Sequence, residues 1–483
     1  MKPYACIFSI LCLSFAVQAQ DNQRQGGRNK IAGADDTRAV FLSEIPAYPG
    51  NVILARPTDH GVTATVMLAQ AARIRIRYGT DGQPEQETAV VEMQPGIMQE
   101  IVLGNLPADA ACHYQVVEAV NNKPMLGEAG QGTFHTCRRP GASFTFTVQA
   151  DSHLDGNCLP ELYKLTLANA AGCHPDFLID LGDTFMTGKI AKREDAAKQY
   201  VAQRYYFGLI GRSVPAFLTI GNHDGEEANQ TGACEADGLA VWSCRQRQRY
   251  FSNPVPDAFY RGNAKAQPYA GLQQDYYAWE WGDALLVVLD PYWYSRATRG
   301  GKDPWSMTLG KTQYDWLAQT LRQSKARYKF VFIHQLVGGL DKNGRGGQEA
   351  VPLFEWGGHE LNGKDTFAAN RPGWEKPIHQ LLVETGVTAV FHGHDHFYAK
   401  QDVDGIVYQL VPQPACRNFK NSQAAEYGYV KGEFIPSSGC LGIAVTPESA
   451  TVTYLRSALP NMERQGLKNG QPATSYTLKP RIK

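Results

Sequence analysis

The sequence has no surplus of charge of either sign. Its 47 Lys and Arg residues match its 47 Asp and Glu residues, so the formal net charge is +0 and the pI is about 7.2. Proteins that bind nucleic acid through its phosphates usually carry a basic surplus. The composition therefore gives no electrostatic reason to expect a nucleic-acid partner, and the lack of internal repeats and of low-complexity tracts argues against a repeat architecture.

Long apolar runs are lacking beyond the N-terminus. There, Lys2 precedes an apolar run from Ala5 to Val17, which is too short to span a membrane comfortably. Residues 17–19 (Val-Gln-Ala) resemble a signal-peptidase site. We expect residues 1–19 to be a signal peptide and the protein to be secreted or periplasmic, without stable membrane insertion after cleavage. The alternatives are an uncleaved anchor and a lipoprotein attached at Cys12, which the bulky Leu11 disfavours.

Cysteine is absent from every motif that carries chemistry. Removal of the signal peptide leaves eight of the 10 cysteines, an even number that suits an oxidising compartment. Eight buried thiols are the competing interpretation. Proximity along the chain suggests four disulfide bonds: Cys112–Cys137, Cys158–Cys173, Cys234–Cys244 and Cys416–Cys440.

The rest of the chain divides by its patterning. Residues 20–45 are mostly polar and predict a flexible linker. Residues 46–140 contain short runs of alternating polar and apolar residues separated by turn signals, which indicates a small all-β sandwich. In residues 141–457, short apolar strands alternate with helix-compatible segments, the pattern of an α/β domain. Residues 458–483 predict a polar C-terminal tail.

Polar motifs follow five of the predicted buried strands of the α/β domain. Loops that bind ligands gather at such strand ends in open α/β sheets. Singly, each motif is common turn chemistry, but together they supply enough carboxylate, amide and imidazole groups for two metal ions. The residues are Asp151 and His153, Asp183, Asn222 with His223 and Asp224, His334, and His394 with His396.

Two adjacent cations suit the hydrolysis of a phosphoester. They neutralise the anionic phosphoryl oxygens and produce hydroxide from water near neutral pH. Mixed oxygen and nitrogen ligands favour a divalent or mixed-valence pair drawn from Fe, Zn, Mn and Co, without choosing among them.

The five motifs, in this order, resemble the calcineurin-like metallophosphoesterase superfamily over roughly residues 143–455. The resemblance implies a four-layer αββα sandwich and places Asp183 as a bridge between two ions. It implies that His223 protonates the leaving group and that Asp224 orients His223. The first ion would be bound by Asp151, His153 and His396, and the second by Asn222, His334 and His394.

The size and the added β domain resemble purple acid phosphatases, in which a fibronectin type III-like domain precedes the catalytic one. Those enzymes have glycine at the position of His153 and a tyrosine ligand at the position of Met186. Without that phenolate we predict a colourless enzyme in which His153 replaces the missing donor.

Two insertions are expected to overhang the site, residues 225–274 and 337–374, because long loops that leave ligand motifs often form binding walls. The second contains three candidate substrate contacts: Lys342, Arg345 and His359. A cation there would favour phosphomonoesters of small molecules. A phosphodiesterase with the same metal site and a noncatalytic binding protein on this fold are the alternatives, and the oligomeric state is left open.

Overall fold

The computed structural model describes residues 42–190, 192–227, 234–296, 303–417 and 423–481. The predicted signal peptide and most of the predicted linker lie outside these segments. Among the helices of the described segments, none is long and apolar enough to cross a membrane.

The N-terminal part consists of two antiparallel sheets that share one apolar core. One sheet has the order β1-β2-β6, and in the other β4-β3-β7-β8 are neighbours and β5 pairs with β3. The strands are β1 Gly50–Ala55, β2 Val62–Leu68, β3 Ala72–Gly79, β4 Gln86–Glu87, β5 Val91–Met93, β6 Gln99–Leu103, β7 Ala111–Glu118 and β8 Gln131–His135. Ile74 and Ile76 of β3 point into the core while Arg73, Arg75 and Arg77 point outward, as the alternation predicts. The resemblance to a fibronectin type III domain stays a prediction.

The α/β part begins with three parallel strands and two helices: β9 Phe144–Gln149, α1 Pro160–Gly172, β10 Phe177–Asp180, α2 Arg193–Gly211 and β11 Ala216–Leu218. Both helices lie between strands, as the alternation of apolar strands with helix-compatible segments predicted. Helix α2 packs on β1 and β2, and β2 is therefore buried on both faces. The alternation of polar and apolar residues in β2 had predicted that one face is exposed to solvent.

A second sheet follows, with strands β12 Arg261–Gly262, β13 Tyr277–Trp281, β14 Ala284–Val288, β15 Tyr328–Ile333, β16 Ala389–His392, β17 Tyr398–Val403, β18 Ile406–Leu410 and β19 Glu433–Ile435. Its order is β12-β13-β14-β15-β16-β18-β17-β19. The helices of this region are α3 Leu239–Tyr250, α4 Lys311–Gln323, α5 Phe354–Gly357, α6 Phe367–Asn370, α7 Ile378–Glu384 and α8 Gln423–Glu426. The N-cap of α4 is Gly310, and Thr312 lies in the first turn of this helix.

The last three strands complete the first sheet of the α/β part. β20 Gly439–Val445, β21 Ala450–Arg456 and β22 Pro472–Leu478 extend it to the order β11-β10-β9-β20-β21-β22. The predicted tail, residues 458–483, therefore contains an edge strand. Tyr476 and Leu478 of that strand contact the central core. In the sequence, this alternation of apolar and polar residues is only a few residues long, and the polar composition around it favoured a tail.

The two sheets face each other across an aromatic core that includes Phe146, Phe177, Trp279 and Phe330. Helices α1 and α2 cover the outer face of the first sheet, and α4 and α7 cover that of the second. This arrangement is the predicted four-layer αββα sandwich, and it places the carboxyl ends of β9, β10, β11, β15 and β16 at one edge.

The structure contains no disulfide bond within its described residues. Cys158 and Cys173 flank the 13 residues of α1, which separates them by roughly 20 Å and excludes that predicted pair. Cys112 lies in the N-terminal core, whereas Cys137 packs against the central core of the α/β part, so this pair is also wrong. Cys234 and Cys244 share one small apolar cluster, and their pairing stays a prediction.

A buried arginine joins the two parts of the molecule. Arg204 of α2 donates to the carbonyl oxygens of Thr65 (2.8 Å) and Tyr250 (2.5 Å), and Asn51 donates to the carbonyl oxygen of Arg204 (2.9 Å). Burial lowers the pKa of Arg204 to about 10, which leaves the guanidinium charged at neutral pH.

We expect Arg204→Ala to lower the free energy of unfolding by about 3 kcal/mol, because two buried carbonyl groups lose their donor. Urea denaturation of the purified protein measures this. Arg212→Ala is the control, because Arg212 comes directly after the same helix but its side chain is 36% exposed. This substitution should change the free energy of unfolding by less than about 0.5 kcal/mol. Equal stability of the two variants would contradict the account.

Candidate metal centre

The predicted ligands converge at one edge of the α/β part because each lies just beyond the end of a parallel strand. Asp151 and His153 follow β9, Asp183 follows β10, and Asn222 follows β11. His334 follows β15, and His394 and His396 follow β16. Strands that pair in parallel end at the same side of a sheet, so these loops meet although up to 245 residues separate their positions along the chain.

One group of potential ligand atoms belongs to Asp151, His153 and His396, all within 4.8 Å of one another. The Oδ1 atom of Asp151 lies 3.7 Å from Nε2 of His153 and 3.4 Å from Nε2 of His396. Asp151 Oδ1 and His153 Nε2 are buried and have no hydrogen-bond partner among the described residues. Buried polar atoms normally have partners, so these converging, unsatisfied atoms fit a cation.

A second group belongs to Asp183, His334 and His394. The amide oxygen of Asn222 joins it, 3.1 Å from Nε2 of His334 and 2.8 Å from Nδ1 of His394. Oδ2 of Asp183 lies 3.6 Å from Nε2 of His334 and 3.7 Å from Nε2 of His153 in the first group. Asp183 thus faces both groups, which is the arrangement required of a bridging carboxylate.

The far nitrogen of three of these rings is held by a neighbouring acceptor. Nδ1 of His334 lies 2.8 Å from the carbonyl oxygen of Leu181, and Nε2 of His394 lies 2.9 Å from that of Asn343. Nδ1 of His153 lies 3.3 Å from a carboxylate oxygen of Asp155. A proton on each of these nitrogens leaves the lone pair of the other nitrogen pointing at the centre, as in metal sites with histidine ligands.

Asp155 and Asn343 were not among the predicted site residues. Asp155 could have been found, because it lies two residues beyond His153. Asn343 acts through its backbone carbonyl, for which the sequence contains no signal.

The carboxylates make the site strongly negative. Burial alone would raise the pKa of Asp183, but His223 and His334 hold it well below its usual range. Burial alone would lower the pKa of His334, but Asp183 and Asp151 raise it above its usual value. Asp183 and His334 thus each favour the charged form of the other.

The ligand loops are held in an uncommon backbone conformation. The φ angles of Asp151, His153, Asp183, His394 and His396 all lie between 51° and 78°, a left-handed region that costs non-glycine residues about 1 kcal/mol or more each. The glycines beside them permit close packing. A Cβ atom on Gly221 would lie 2.0 Å from the backbone nitrogen of Asp183, and one on Gly393 would lie 2.8 Å from Oδ2 of Asp151.

The carboxylate of Asp224 holds the backbone of the ligand loops. Its Oδ2 accepts from the backbone N–H groups of Gly221 (2.7 Å) and Asp183 (3.1 Å). Its Oδ1 accepts from those of Thr184 and Phe185, both at 2.8 Å. All four of these hydrogen bonds go to backbone groups, and the role that the resemblance implies for Asp224, orienting the ring of His223, stays a prediction.

His223 lies at the open side of the centre, with 15% of its side chain exposed and Nε2 3.8 Å from Oδ2 of Asp183. Its backbone N–H donates to Oδ1 of Asp183 (2.7 Å), and its carbonyl accepts from Gly188 (2.8 Å). The ring therefore borders both the carboxylate and solvent, where a departing group would leave.

The three predicted substrate contacts lie in different surroundings. The guanidinium of Arg345 lies 4.0 Å from the ring centroid of Tyr427, in the same loop as Asn343. Lys342 is exposed. Nδ1 of His359 lies 3.1 Å from the carbonyl oxygen of Pro352 and 3.0 Å from that of Gly357, contacts within the insertion itself rather than at the centre.

Met186 is fully buried and belongs to neither ligand group. A tyrosine that was not predicted, Tyr292, lies beside the second ligand group, with its ring centroid 6.0 Å from that of His334. Its hydroxyl donates to Oε1 of Gln335 (2.8 Å), and burial raises its pKa well above the usual value. A colourless enzyme stays a prediction.

The fold and the paired ligand groups define a metal-dependent phosphoric ester hydrolase with a dinuclear centre. The Calcineurin-like phosphoesterase family model matches residues 144–398, and the chain belongs to that family. The chain is therefore an enzyme rather than a noncatalytic binding protein.

Known relatives agree with a purple acid phosphatase-like architecture. The chain is 24% identical over 296 residues to tartrate-resistant acid phosphatase type 5 of Oryctolagus cuniculus, covering 59% of this chain and 77% of that protein. It shares its fold with PhoD, with a TM-score of 0.60, 14% identity, and coverage of 85% of this chain and 87% of the other. The purple acid phosphatase PPD1 from yellow lupin (Lupinus luteus) seeds has a TM-score of 0.58 and 13% identity, with coverage of 89% and 75%.

We expect Asn222→Ala to reduce the bound metal from about two ions per chain to about one and to lower turnover more than about tenfold, because the second group loses a ligand. Elemental analysis after gel filtration measures the metal, and a phosphoester assay measures turnover. Asn121→Ala, in the exposed turn after β7, is the control. Full activity with two ions retained in Asn222→Ala would disprove its role as a ligand.

Proposed function

We propose that the protein is an exported phosphomonoesterase whose two metal ions lie on either side of Asp183. The observation that carries this proposal is the position of Oδ2 of Asp183, 3.6–3.8 Å from Nε2 of three histidines. Two of them, His153 and His334, come from the two ligand groups, and the third is His223. The remaining proposed ligands are Asp151 and His396 for the first ion, and Asn222 and His394 for the second.

The residues of the centre fit two ions of the Fe, Zn, Mn or Co class, because carboxylate, amide and imidazole groups suit such metals. When bound, the pair would neutralise phosphoryl charge and activate water. Asp183 fixes the spacing between the two groups, and Asp224 fixes the loops of Asp183 and Gly221 relative to each other.

His223 is the proposed general acid. Its ring lies at the open side of the centre. The backbone of His223 is fixed on both sides of the Cα atom, because its N–H donates to Asp183 and its carbonyl accepts from Gly188. From this position its Nε2 can deliver a proton to the oxygen of the leaving group as the ester bond breaks.

We expect His223→Ala to retain both ions and to lose most rate on esters with poor leaving groups, because these depend most on protonation. Rates on a series of aryl phosphates of increasing phenol pKa measure this as a steeper dependence on leaving-group pKa. His113→Ala, whose side chain is 38% exposed on the N-terminal sheet, is the control. An equal loss of rate on every ester of the series would contradict the role of His223 as general acid.

The preference for monoesters rests on Arg345. The carbonyl of Asn343 in the same loop contacts His394, a proposed ligand of the second ion, so Arg345 lies two residues from a residue that contacts this ligand. Tyr427 stacks on its guanidinium, and Asp341 lies within 3.8 Å of it, which together limit its motion. A guanidinium binds two phosphate oxygens at once, and a monoester offers one more free oxygen than a diester.

The test compares kcat/KM on nitrophenyl phosphate and on bis(nitrophenyl) phosphate. The wild type should prefer the monoester. Arg345→Ala should lower kcat/KM for the monoester by about 10–100-fold, which corresponds to the free energy of a charge-assisted hydrogen bond. The value for the diester should change little. Lys364→Ala, which removes an exposed cation of the same insertion, is the control. A wild-type preference for the diester would make the protein a phosphodiesterase and overturn the proposal.

Export is supported by the apolar run from Ala5 to Val17 and by the small residues before Gln20. Expression of the full chain in a bacterium with an outer membrane, followed by mass spectrometry of the periplasmic fraction, tests it. The mature protein should begin at Gln20. Recovery of the intact N-terminus in the cytoplasm would contradict export.

A further inference from the structure

Two cysteines that are distant in sequence face each other beside the metal centre. Cys158 and Cys416 form an isolated antiparallel bridge. The backbone N–H of Leu159 donates to the carbonyl of Ala415 (2.9 Å), and that of Arg417 donates to the carbonyl of Asn157 (2.8 Å). Because these hydrogen bonds flank the two cysteines, the cysteines are a non-hydrogen-bonded pair, the kind in which opposite side chains are closest.

This backbone geometry meets the requirements of a disulfide bond. In a non-hydrogen-bonded antiparallel pair, the Cα atoms lie about 4.5 Å apart. Disulfide-bonded cysteines usually have Cα atoms about 4.4–6.8 Å apart. The Cα separation typical of such a pair therefore lies within the range of disulfide-bonded cysteines.

We propose that Cys158 and Cys416 form a disulfide bond that fixes the first metal-binding loop to the segment after β18, which replaces the pair Cys416–Cys440 expected from proximity along the chain. The bond forms by exchange with an external disulfide. One thiolate attacks that disulfide to give a mixed disulfide, and the second thiolate displaces the remaining external thiol. The protein loses two hydrogens as protons and electrons, and the external disulfide is reduced to two thiols.

The bond would act on the loop that supplies the proposed ligands Asp151 and His153. The backbone N–H of Cys158 donates to the carbonyl of Asp155, whose carboxylate contacts the ring of His153. On the other side, Gln413 donates to the carbonyl oxygen of Asp151 (2.9 Å), three residues before Cys416. The two cysteines therefore join the two segments that hold these ligands.

Burial affects when the bond can form. Cys158 is fully buried, whereas Cys416 is partly exposed. Burial raises the pKa of the Cys158 thiol to about 12, so little thiolate exists in the folded protein. Since the thiolate is the reactive form, exchange is favoured during folding, and the finished bond is shielded from reductants.

The first test is nonreducing peptide mapping of the full chain after it folds in a buffer of oxidised and reduced glutathione. The unfolded sample is treated with a maleimide, digested, and analysed by mass spectrometry with and without reduction. The proposal predicts a linked pair of peptides that contain Cys158 and Cys416 and separate on reduction. Maleimide-labelled Cys158, or Cys158 linked to another cysteine, would overturn it.

The second test measures the rate at which a chelator removes metal, and it rests on the proposed ligand set. The double variant Cys158→Ala/Cys416→Ala should lose the first ion about tenfold faster or more, because its ligand loop is less constrained. The matched control is Cys173→Ala/Cys440→Ala, which changes two cysteines that lie in contact with α1 away from these ligands. Equal rates in both variants would disprove the effect on the metal loop.

The two tests separate the two claims. A linked Cys158–Cys416 peptide with normal metal retention in the double variant supports the bond and rejects its effect on the ligands. A missing linked peptide rejects the bond whatever the metal content or activity of the protein.

Discussion

The carboxylate of Asp183 is the point on which the ligand loops depend. One oxygen faces imidazoles from both ligand groups, while the other accepts the backbone N–H of His223. The backbone N–H of Asp183 is in turn held by Asp224, which also binds the loop after β11. Three loops thus take their positions from two buried aspartates, and so much buried negative charge requires compensating positive charge.

The surrounding protein stabilises a strained arrangement. Five proposed ligands have left-handed backbone conformations, which persist only where the neighbouring structure determines them. Part of that support comes from the second insertion. Its residue Asn343 contacts His394, and the backbone N–H of Gly346 donates to Asp395 (3.0 Å). This insertion therefore acts on the geometry of the centre as well as forming a wall beside it.

The first insertion is organised differently. Its residues Glu226 and Arg247 form a buried ion pair through two hydrogen bonds of 2.6 and 2.9 Å. Arg247 belongs to α3, so this pair fixes the helix to the segment that directly follows the His223 motif. Its expected role as a wall over the site stays a prediction, since residues 228–233 lie outside the described segments.

Much of the fold and of the centre could be predicted because the relevant signals are local. Asp183 and His334 each follow a short apolar strand, and parallel strands bring their ends together whatever their separation in sequence. The acceptor role of Asn343 could not be predicted, because any residue offers a carbonyl. The proximity of Cys158 and Cys416 depends on the pairing of distant segments, which spacing along the chain does not reveal. The edge strand β22 was not predicted, because its alternation of apolar and polar residues is short and the residues around it are mostly polar.

The central claim is that two metal ions lie on either side of Asp183. Crystals of the metal-loaded protein, measured at the absorption edge of the bound metal, test it most directly. The account predicts two anomalous peaks about 3.5–4 Å apart, with the Asp183 carboxylate between them. A single peak, or two peaks that do not flank Asp183, would contradict it.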